Sequence, residues 1–287
     1  MHDADEHRAD TGAGCREDRG RGGRAEAGSD FIHVYGEARD FIENLERRKN
    51  MRIISWNCNG GYGKKIDKIL ELDPDIAVIQ ECESLERLRS SCRDKIPSKS
   101  FWFSESDKNK GVGIFFHSEF GIFSMEHYSF IEFVIPMKIK KDFEFYLFSV
   151  WAMAPKEKGK TYTFQIERAL KRYKDILANN HSIFIGDFNS PHIEKPVEKT
   201  EFMVVDEFEK LGIFSAYHKF HKKEYGEHSH HTFYWNKKKD FTHMLDYCFA
   251  SKAIIDGVRN VEVGTYEDWI EFSDHCPLVV DIEEGLS

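Results

Sequence analysis

Residues 182–187 read SIFIGD, an apolar segment that runs directly into a carboxylate, and this pattern recurs along the chain. A short run of β-branched and aromatic residues ahead of turn-forming residues predicts a buried β-strand. The same arrangement occurs in residues 52–57, RIISWN, and in residues 76–81, IAVIQE. Each of these predicted strands therefore ends in a polar side chain, namely Asp187, Asn57 or Glu81.

Predicted strands alternate with amphipathic helices along the rest of the chain. Apolar residues recur at helical spacing in residues 64–72, 161–178 and 201–211, which predicts three helices. The other predicted strands are 111–117, 130–139, 143–150, 232–235, 246–251, 258–263 and 277–282. Strands outnumber helices, and a strand–helix–strand opening recurs in each half. Two packed sheets with helices outside fit this pattern better than a single parallel sheet.

The composition changes near residue 30. Residues 1–30 are rich in Gly, Arg, Ala, Asp and Glu, and such a segment buries too little apolar surface to offset its chain entropy. We interpret it as a disordered or non-native N-terminal extension, and residues 31–50 are compatible with a short helix. Residues 51–287 are expected to form a single domain. One hypothesis is that Met51, which opens the first strand, is the natural start of the protein.

The charge and hydropathy of the chain limit its function. The formal net charge is -9, which argues against a high-affinity, sequence-specific DNA binder that holds phosphates with Lys and Arg. It does not argue against a hydrolase, because carboxylates that bind a metal ion also make the formal net charge more negative. No apolar run approaches the roughly 18 residues of a membrane helix, and the N-terminus lacks the apolar part of a signal peptide. We therefore expect a cytoplasmic monomer with no membrane contact.

The polar residues at the strand ends are candidates for a metal site. Carboxylates and carboxamides at strand ends can converge on one edge of a sheet, where α/β proteins usually bind ligands. Oxygen ligands of this kind suit Mg²⁺ or Mn²⁺ better than Zn²⁺. Asp274 and His275 precede the last strand, and the His adds a group that can transfer a proton or contact a phosphate. Each element alone is also typical of an ordinary turn, so their joint occurrence carries the prediction.

Together these segments resemble a known family. The endonuclease/exonuclease/phosphatase superfamily, which includes exonuclease III, abasic-site endonucleases, deoxyribonuclease I and inositol polyphosphate 5-phosphatases, has similar motifs in the same order. They are WNCNG (56–60), IQE (79–81), GDFN (186–189), LDY (245–247) and SDHCPL (273–278). The resemblance implies a four-layer α/β sandwich, in which two packed mixed β-sheets are flanked by helices, and a single catalytic domain over residues 51–287.

The resemblance also implies a divalent-metal site that takes Mg²⁺ or Mn²⁺. By position in the motifs, Glu81 would be the main metal ligand. Asn57, Asn59 and Asp274 would complete the surroundings of the metal and the phosphate, and Asn57 would also contact the substrate.

The catalytic roles follow from the same resemblance. Asp187 would orient or deprotonate the attacking water, and Asn189 would hold a phosphate oxygen. His275 would contact the scissile phosphate and stabilise its developing charge, while Asp246 would fix the orientation of His275. In-line attack on a phosphodiester needs a positioned water, a cation and fixed donors on the phosphate oxygens, which these roles would supply.

Two positions depart from the abasic-site endonucleases that the chain resembles. Trp151 stands where those enzymes usually carry a Tyr, and its indole N–H could contact the substrate although it lacks the acidity of a phenol. Asn59 stands where an acidic residue is usual. Both departures concern the positions that would have identified the substrate.

The function predicted from the sequence is a metal-dependent nuclease or phosphodiesterase that cleaves DNA or RNA by attack of an activated water. Nucleic acid is then the substrate partner, and the aromatic residues of segment 232–235 could stack on its bases. One alternative is a phosphatase of a small phosphorylated metabolite or inositol phosphate. Another is a catalytically silent binding domain, against which the presence of both Glu81 and His275 argues.

Overall fold

The computed structural model describes residues 49–104, 109–128, 131, 133–153, 162–190 and 204–285. All of them belong to the second of two units into which the chain divides, Met1–Glu46 and Arg47–Ser287. The predictions for residues 1–30, and for residues 31–50 apart from the last two, lie outside the described residues.

Short strands and helices alternate through the described residues, as the sequence predicted. In chain order they are β1 (Asn50–Asn57), α1 (Ile66–Leu70), β2 (Ile76–Cys82), α2 (Leu85–Cys92), β3 (Ser100–Phe103), β4 (Gly111–Phe116), β5 (Gly121–Ser124), β6 (Val134–Lys140), β7 (Glu144–Trp151), α3 (Phe164–Arg172), α4 (Lys174–Asn179), β8 (Ser182–Asp187), α5 (Val204–Lys210), β9 (Ile213–Ser215), α6 (Ala216–His221), β10 (Phe233–Tyr234), β11 (Thr242–His243), β12 (Asp246–Ser251), α7 (Lys252–Asp256), β13 (Val258–Val263), α8 (Tyr266–Trp269) and β14 (Leu278–Glu283).

Two six-stranded sheets form the centre of the fold. The first sheet has the order β13-β14-β1-β2-β4-β3, and the second has the order β5-β6-β7-β8-β12-β9. Each sheet contains one parallel pair, β1 with β2 and β7 with β8, while the remaining pairs are antiparallel. A parallel pair needs a long crossover, which α1 provides in the first sheet. The predicted fold class, two mixed sheets flanked by helices, is confirmed.

Strand alternation divides the apolar residues between two layers of core. Ile53 and Val78 of the first sheet belong to one buried cluster with Ile183 of the second sheet. Their neighbours Ile54 and Ala77 belong to a second cluster, in which α1 and α2 cover the outer face of the first sheet. Because successive side chains of a strand point to opposite faces, each central strand contributes side chains to both layers of the core.

Aromatic residues attach helices to the outer face of the second sheet. The Phe148 and Phe184 rings stack across the parallel pair at 4.3 Å between centroids. Phe208 of α5 stacks on Phe249 at 4.6 Å and meets Phe184 edge-on at 5.0 Å. Within the described part of the chain, no helix has the length and apolarity needed to cross a bilayer.

Some predicted elements have different bounds in the structure. The single helix predicted over residues 161–178 is divided into α3 and α4 at Tyr173, where φ is -101° and ψ is 14°. The Tyr173 side chain is buried, and its hydroxyl donates to the Glu126 carbonyl at 2.9 Å. This hydrogen bond attaches the break between the two helices to the loop that contains Glu126. The strand predicted over residues 232–235 is shorter, because Trp235 begins a 3₁₀ turn directly after β10.

Candidate active site

The sheet topology brings the predicted site residues to one edge of the fold. Strand β12 is antiparallel to β8, so its first residue, Asp246, is the direct partner of the last residue of β8, Asp187. Strand β14 is antiparallel to β1, so Asp274 and His275, just before β14, lie beside the end of β1 at Asn57. Residues that are far apart in the chain therefore meet where these strands begin or end.

Asn57 joins the two sheets at this edge. Its Nδ2 atom donates to Asp187 Oδ2 at 3.0 Å and lies 3.4 Å from Glu81 Oε1. Its Oδ1 atom accepts a hydrogen bond from the Asn59 N–H at 3.0 Å. The side chain is buried, with 3% of its surface exposed, so these contacts hold the amide in one orientation. Asn57 thus places the carboxylates of Asp187 and Glu81 on either side of a single amide group.

Glu81 has an unusual backbone conformation. Its φ is +57°, and the pairing of β2 with β4 shifts register between Ile79 and Cys82. A non-glycine residue in this left-handed region costs on the order of 1–3 kcal/mol, and such strain clusters at functional sites. The shift turns the Glu81 carboxylate towards Asn57, and its Oε2 atom forms an ion pair with the Lys110 ammonium. Glu81 is therefore held by an amide on one side and by a cation on the other.

Asp187 is fully buried at the end of β8. Its carboxylate accepts hydrogen bonds from Asn57 Nδ2 and, at 2.7 Å, from the backbone N–H of Asn189. Burial raises the pKa of Asp187 from its ordinary value of 3.8 to about 7, with a further increase from Asp246 and an opposing decrease from His275. A carboxylate whose pKa lies near neutral pH can take up and release a proton under ordinary conditions.

His275 and Asp246 form a buried hydrogen-bonded pair. The His275 Nδ1 atom lies 2.8 Å from Asp246 Oδ2. Burial by itself would lower the pKa of His275, but the charges of Asp246, Asp187 and Asp274 raise it to about 9. His275 is therefore a cation at neutral pH. Because Nδ1 is engaged by Asp246, Nε2 is the ring nitrogen that can donate to a ligand.

Thr232 and Phe233 hold this His–Asp pair in place. The Thr232 hydroxyl oxygen accepts from the N–H groups of Leu245 at 2.9 Å and Asp246 at 3.0 Å. The Phe233 ring packs on the His275 ring at 4.8 Å, and the two residues form an antiparallel β-bridge. Neither contact was predicted from the sequence, which gave only a possible base-stacking role for the aromatic residues of segment 232–235.

Ser273 connects the His275 segment to the first sheet. Its hydroxyl donates to the Asn57 carbonyl at 2.7 Å and accepts from the His275 N–H at 3.0 Å. Next to it, Asp274 Oδ1 accepts from Asn59 Nδ2 at 3.1 Å. Ser273 and Asp274 thus attach the SDH segment to the Asn57–Asn59 turn, and Ser273 was not predicted as a site residue.

Asn189 and Trp151 lie on the second sheet beside Asp187. Asn189 has a φ of +51°, a conformation that Asn tolerates, and its N–H binds Asp187. Trp151 is the register partner of Asp187 across the parallel pair β7 and β8. It is 5% exposed, its ring packs on Phe133 at 5.4 Å, and its buried Nε1 has no hydrogen-bond partner among the described residues. Its indole N–H is therefore a candidate donor to a ligand.

Two groups of residues could hold a cation here. Ligand atoms of Asp187, Asp246 and His275 all lie within 4.8 Å of one another. A protonated His275 has no free lone pair on Nδ1, however, so this trio fits a proton-sharing cluster better than a metal centre. Glu81 and Asp274 offer only oxygen atoms, the donors that Mg²⁺ prefers. The donor chemistry thus favours Glu81 and Asp274.

Solved structures share the fold of this chain. The 3′ phosphatase NExo from Neisseria, bound to a product DNA hairpin, has a TM-score of 0.63 at 16% identity, covering 81% of this chain and 99% of that chain. An AP endonuclease from Archaeoglobus fulgidus has a TM-score of 0.62 at 17% identity, with the same coverages. The Xenopus laevis APE2 catalytic domain has a TM-score of 0.61 at 18% identity, covering 81% of this chain and 92% of that chain.

A sequence-profile comparison identifies the family of the chain. A search of curated protein sequences finds no significant match to the chain. The profile of the Endonuclease/Exonuclease/phosphatase family matches residues 54–275, which span every motif from the end of β1 to His275. The chain belongs to the endonuclease/exonuclease/phosphatase family.

Proposed function

We propose that this chain is a divalent-metal-dependent nuclease or phosphodiesterase that cleaves DNA or RNA by in-line attack of a water molecule. One observation carries the proposal. Asn57 connects the carboxylate of Asp187, whose pKa is raised to about 7, to Glu81, while His275 lies within 4.8 Å of the same Asp187 carboxylate. A base, a cationic imidazole and an oxygen-rich metal site would then lie together, as hydrolysis of a phosphodiester requires.

Asp187 is the proposed general base. Its raised pKa reflects burial, so the carboxylate is a stronger proton acceptor than an exposed one. The hydrogen bonds from Asn57 and from the Asn189 N–H fix its two oxygen atoms. Asp187 would accept a proton from the attacking water as the new P–O bond forms.

His275 is the proposed donor to the phosphate. Its pKa of about 9 keeps the ring positively charged at neutral pH, and Asp246 orients it through Nδ1. The Nε2–H group would donate to a non-bridging oxygen, where negative charge increases in the transition state. Asn189 would donate to a second phosphate oxygen, and Trp151 would contact the substrate through its indole N–H.

Enzymes of this family depend on a divalent metal. In the proposal Glu81, Asp274, Asn57 and Asn59 would hold Mg²⁺ or Mn²⁺. Such an ion supplies positive charge that offsets the negative charge of the phosphate and of the leaving oxygen. The strained backbone of Glu81 is consistent with a carboxylate that is placed for this purpose.

Nucleic acid is the proposed substrate for two reasons. Similar folds include the APE2 catalytic domain and a phosphatase bound to a DNA hairpin. In this chain, Trp235 and Phe241 are each 58% exposed on the loop that follows Phe233, the residue packed on His275. Exposed aromatic rings beside a catalytic site suit stacking on bases, at about 1–3 kcal/mol for each base.

The test is a substrate panel with the purified full chain. Plasmid DNA, an abasic-site duplex, single-stranded DNA, RNA and a set of phosphomonoesters are incubated with Mg²⁺, Mn²⁺ or EDTA. We expect metal-dependent cleavage of at least one nucleic acid. Metal-dependent release of phosphate from the monoesters only would contradict the nuclease and favour the small-molecule phosphatase.

A variant pair excludes a contaminating nuclease. His275→Ala should abolish the cleavage, because it removes the proposed donor to the phosphate. His181→Ala is the matched control, since His181 immediately precedes β8 and so lies at the opposite end of that strand from Asp187. Equal cleavage by both variants would mean that the activity is not due to this site.

A further inference from the structure

Tyr217 is a fully buried tyrosine with no role in the mechanism proposed above. It lies in the first turn of α6, a short helix that directly follows β9 of the second sheet. The last residue of α6 contacts the first sheet, because the His221 Nε2–H group donates to the Val261 carbonyl of β13 at 3.1 Å. Helix α6 is therefore attached to both sheets, and this attachment fixes the position of Tyr217.

Four imidazole rings surround the ring of Tyr217. His218 and His221 belong to α6 itself, and their ring centroids lie 5.3 Å and 4.6 Å from that of Tyr217. His228 and His230 belong to the loop between α6 and β10, and each of their centroids lies 5.9 Å from that of Tyr217. The loop between α6 and β10 therefore packs against the tyrosine ring.

The Tyr217 hydroxyl also binds the backbone of this loop. Its oxygen accepts hydrogen bonds from the Ser229 N–H at 2.9 Å and from the His230 N–H at 3.2 Å. These two donors occupy the lone pairs of the phenol oxygen, so the O–H group of Tyr217 is left to donate to His230 Nδ1, 3.1 Å away. One buried hydroxyl thus makes three hydrogen bonds to two consecutive residues of the loop.

The loop leads directly into Thr232, which contacts the backbone of both partners of the His275–Asp246 pair. Thr232 lies two residues after His230, so a displacement of His230 reaches it over two peptide units. The Thr232 hydroxyl oxygen accepts from the Asp246 N–H at 3.0 Å, and the Thr232 carbonyl accepts from the Cys276 N–H at 2.8 Å. Cys276 immediately follows His275. The loop that Tyr217 holds is therefore connected to both members of the pair.

We propose that Tyr217 is a positioning residue for His275, because its hydroxyl fixes the loop that places Thr232 against the His275–Asp246 pair. The inference rests on the proposed function, in which His275 donates to the phosphate. Tyr217 would act through Thr232 and not by contact with the substrate. A displacement of a catalytic group by about 1 Å can lower a rate by about 10²-fold, so a residue remote from the reacting phosphate can control turnover in this way.

Tyr217→Phe tests the hydroxyl, since it keeps the ring among the imidazoles and removes the three hydrogen bonds. Tyr173→Phe is the matched control, because Tyr173 is also a buried tyrosine whose hydroxyl binds a loop, at the Glu126 carbonyl. In steady-state kinetics of the full chain with the best nucleic-acid substrate and saturating Mg²⁺, Tyr217→Phe should lower kcat about tenfold and leave KM within about twofold. Tyr173→Phe should leave both constants within about twofold of the wild type.

Amide hydrogen exchange, measured by NMR without substrate or metal, gives a readout that does not depend on activity. Tyr217→Phe should accelerate exchange at Ser229 and His230, which lose their acceptor. It should also accelerate exchange at Leu245 and Asp246, whose N–H groups bind the Thr232 hydroxyl. Tyr173→Phe should leave these four rates at their wild-type values.

Three results would overturn the inference. They are an unchanged kcat in Tyr217→Phe, an equal loss of kcat in Tyr173→Phe, and faster exchange that is confined to Ser229 and His230.

A second variant covers the case in which Tyr217→Phe does not fold. His230→Ala removes only the acceptor of the tyrosine O–H, and it should lower kcat and accelerate exchange at Asp246 to a smaller extent. No change in either quantity would overturn the inference. Failure of the proposed function is distinguishable, because the wild type would then cleave no phosphodiester, whereas the exchange rates would still show whether Tyr217 holds the Thr232 segment in place.

Discussion

The Nδ2 atom of Asn57 lies 3.0 Å from the Oδ2 atom of Asp187, and this hydrogen bond connects the ends of β1 and β8 across the two sheets. Both side chains are buried. A buried amide that donates to a carboxylate fixes the position of the charge without neutralising it. The proposed base therefore depends on the packing of both sheets.

The first prediction concerns the stability of Asp187→Asn. In the folded wild type the pKa of Asp187 is raised by burial from 3.8 to about 7, so the folded state holds a proton that the unfolded chain has released. The contribution of this group to stability is fully present below the unfolded pKa and is lost as pH rises through the folded pKa. The Asn variant has no such loss.

As pH rises from about 4 to about 7, Asp187→Asn should consequently gain Tm relative to the wild type, as measured by thermal melts without added metal. Asp175→Asn, on the exposed surface of α4, is the control and should track the wild type. If the Tm of Asp187→Asn fell relative to that of the wild type as pH rises, the raised pKa of Asp187 would be contradicted.

The second prediction concerns Glu81→Gln. Loss of the carboxylate removes the proposed main ligand, so the Mg²⁺ concentration for half-maximal activity should rise on the order of tenfold or more. Glu71→Gln is the control, because Glu71 is an exposed residue at the end of α1 that pairs with Lys68. A Mg²⁺ titration that is identical in the wild type and Glu81→Gln would remove Glu81 from the metal site.

The third prediction concerns Thr232 as a positioning residue. Thr232→Val leaves two buried N–H groups, those of Leu245 and Asp246, without their acceptor, at a cost of about 1–3 kcal/mol for each group. Because Asp246 orients His275, we expect kcat to fall about tenfold with little change in KM. Thr232→Ser keeps the acceptor and should restore kcat. If Thr232→Ser were as impaired as Thr232→Val, the hydroxyl would not be responsible.

The fourth prediction concerns Gly186, the residue before Asp187. Its φ is +150°, and a Cβ atom there would overlap the backbone carbonyl of Val150 on the neighbouring strand. Gly186→Ala should therefore lower the free energy of unfolding by about 3 kcal/mol or more in denaturant titrations. Gly212→Ala is the control, since a Cβ there meets open space at a φ of +70°, and only about 1–2 kcal/mol is expected. Similar losses in the two variants would reject the steric explanation.

The sequence predicted the parts of the fold that depend on local pattern. The strands over residues 246–251 and 258–263 have the predicted bounds, because apolar residues and flanking turn formers mark both ends. The short strands β3, β5 and β9 were not predicted, since runs of three or four residues carry little periodic signal. Tertiary contacts also decide the break of the helix at Tyr173, which its own apolar periodicity does not indicate.

Some features of the candidate site were predicted from the sequence, and others depend on tertiary contacts. The polar residues at strand ends were predicted from the motifs, and the structure brings Asn57, Glu81 and Asp187 into direct contact. The contribution of Thr232 was not predictable, because an acceptor for two backbone N–H groups is defined only once β12 is in place. The Lys65 ammonium donates to the Cys58 carbonyl at 2.6 Å and to the Gly60 carbonyl at 2.7 Å and so stabilises the Asn57 turn, a contact that the sequence alone did not indicate.

The central claim is that Asp187 activates water for metal-dependent hydrolysis of a phosphodiester. The most direct measurement is the rate of cleavage of the best nucleic-acid substrate at saturating Mg²⁺ by the wild type, Asp187→Asn and Asp175→Asn, each repeated in EDTA. We expect the wild type and Asp175→Asn to cleave the substrate, EDTA to abolish this cleavage, and a folded Asp187→Asn to be slower by at least about 10²-fold. Cleavage by Asp187→Asn within a few-fold of the wild-type rate would contradict it.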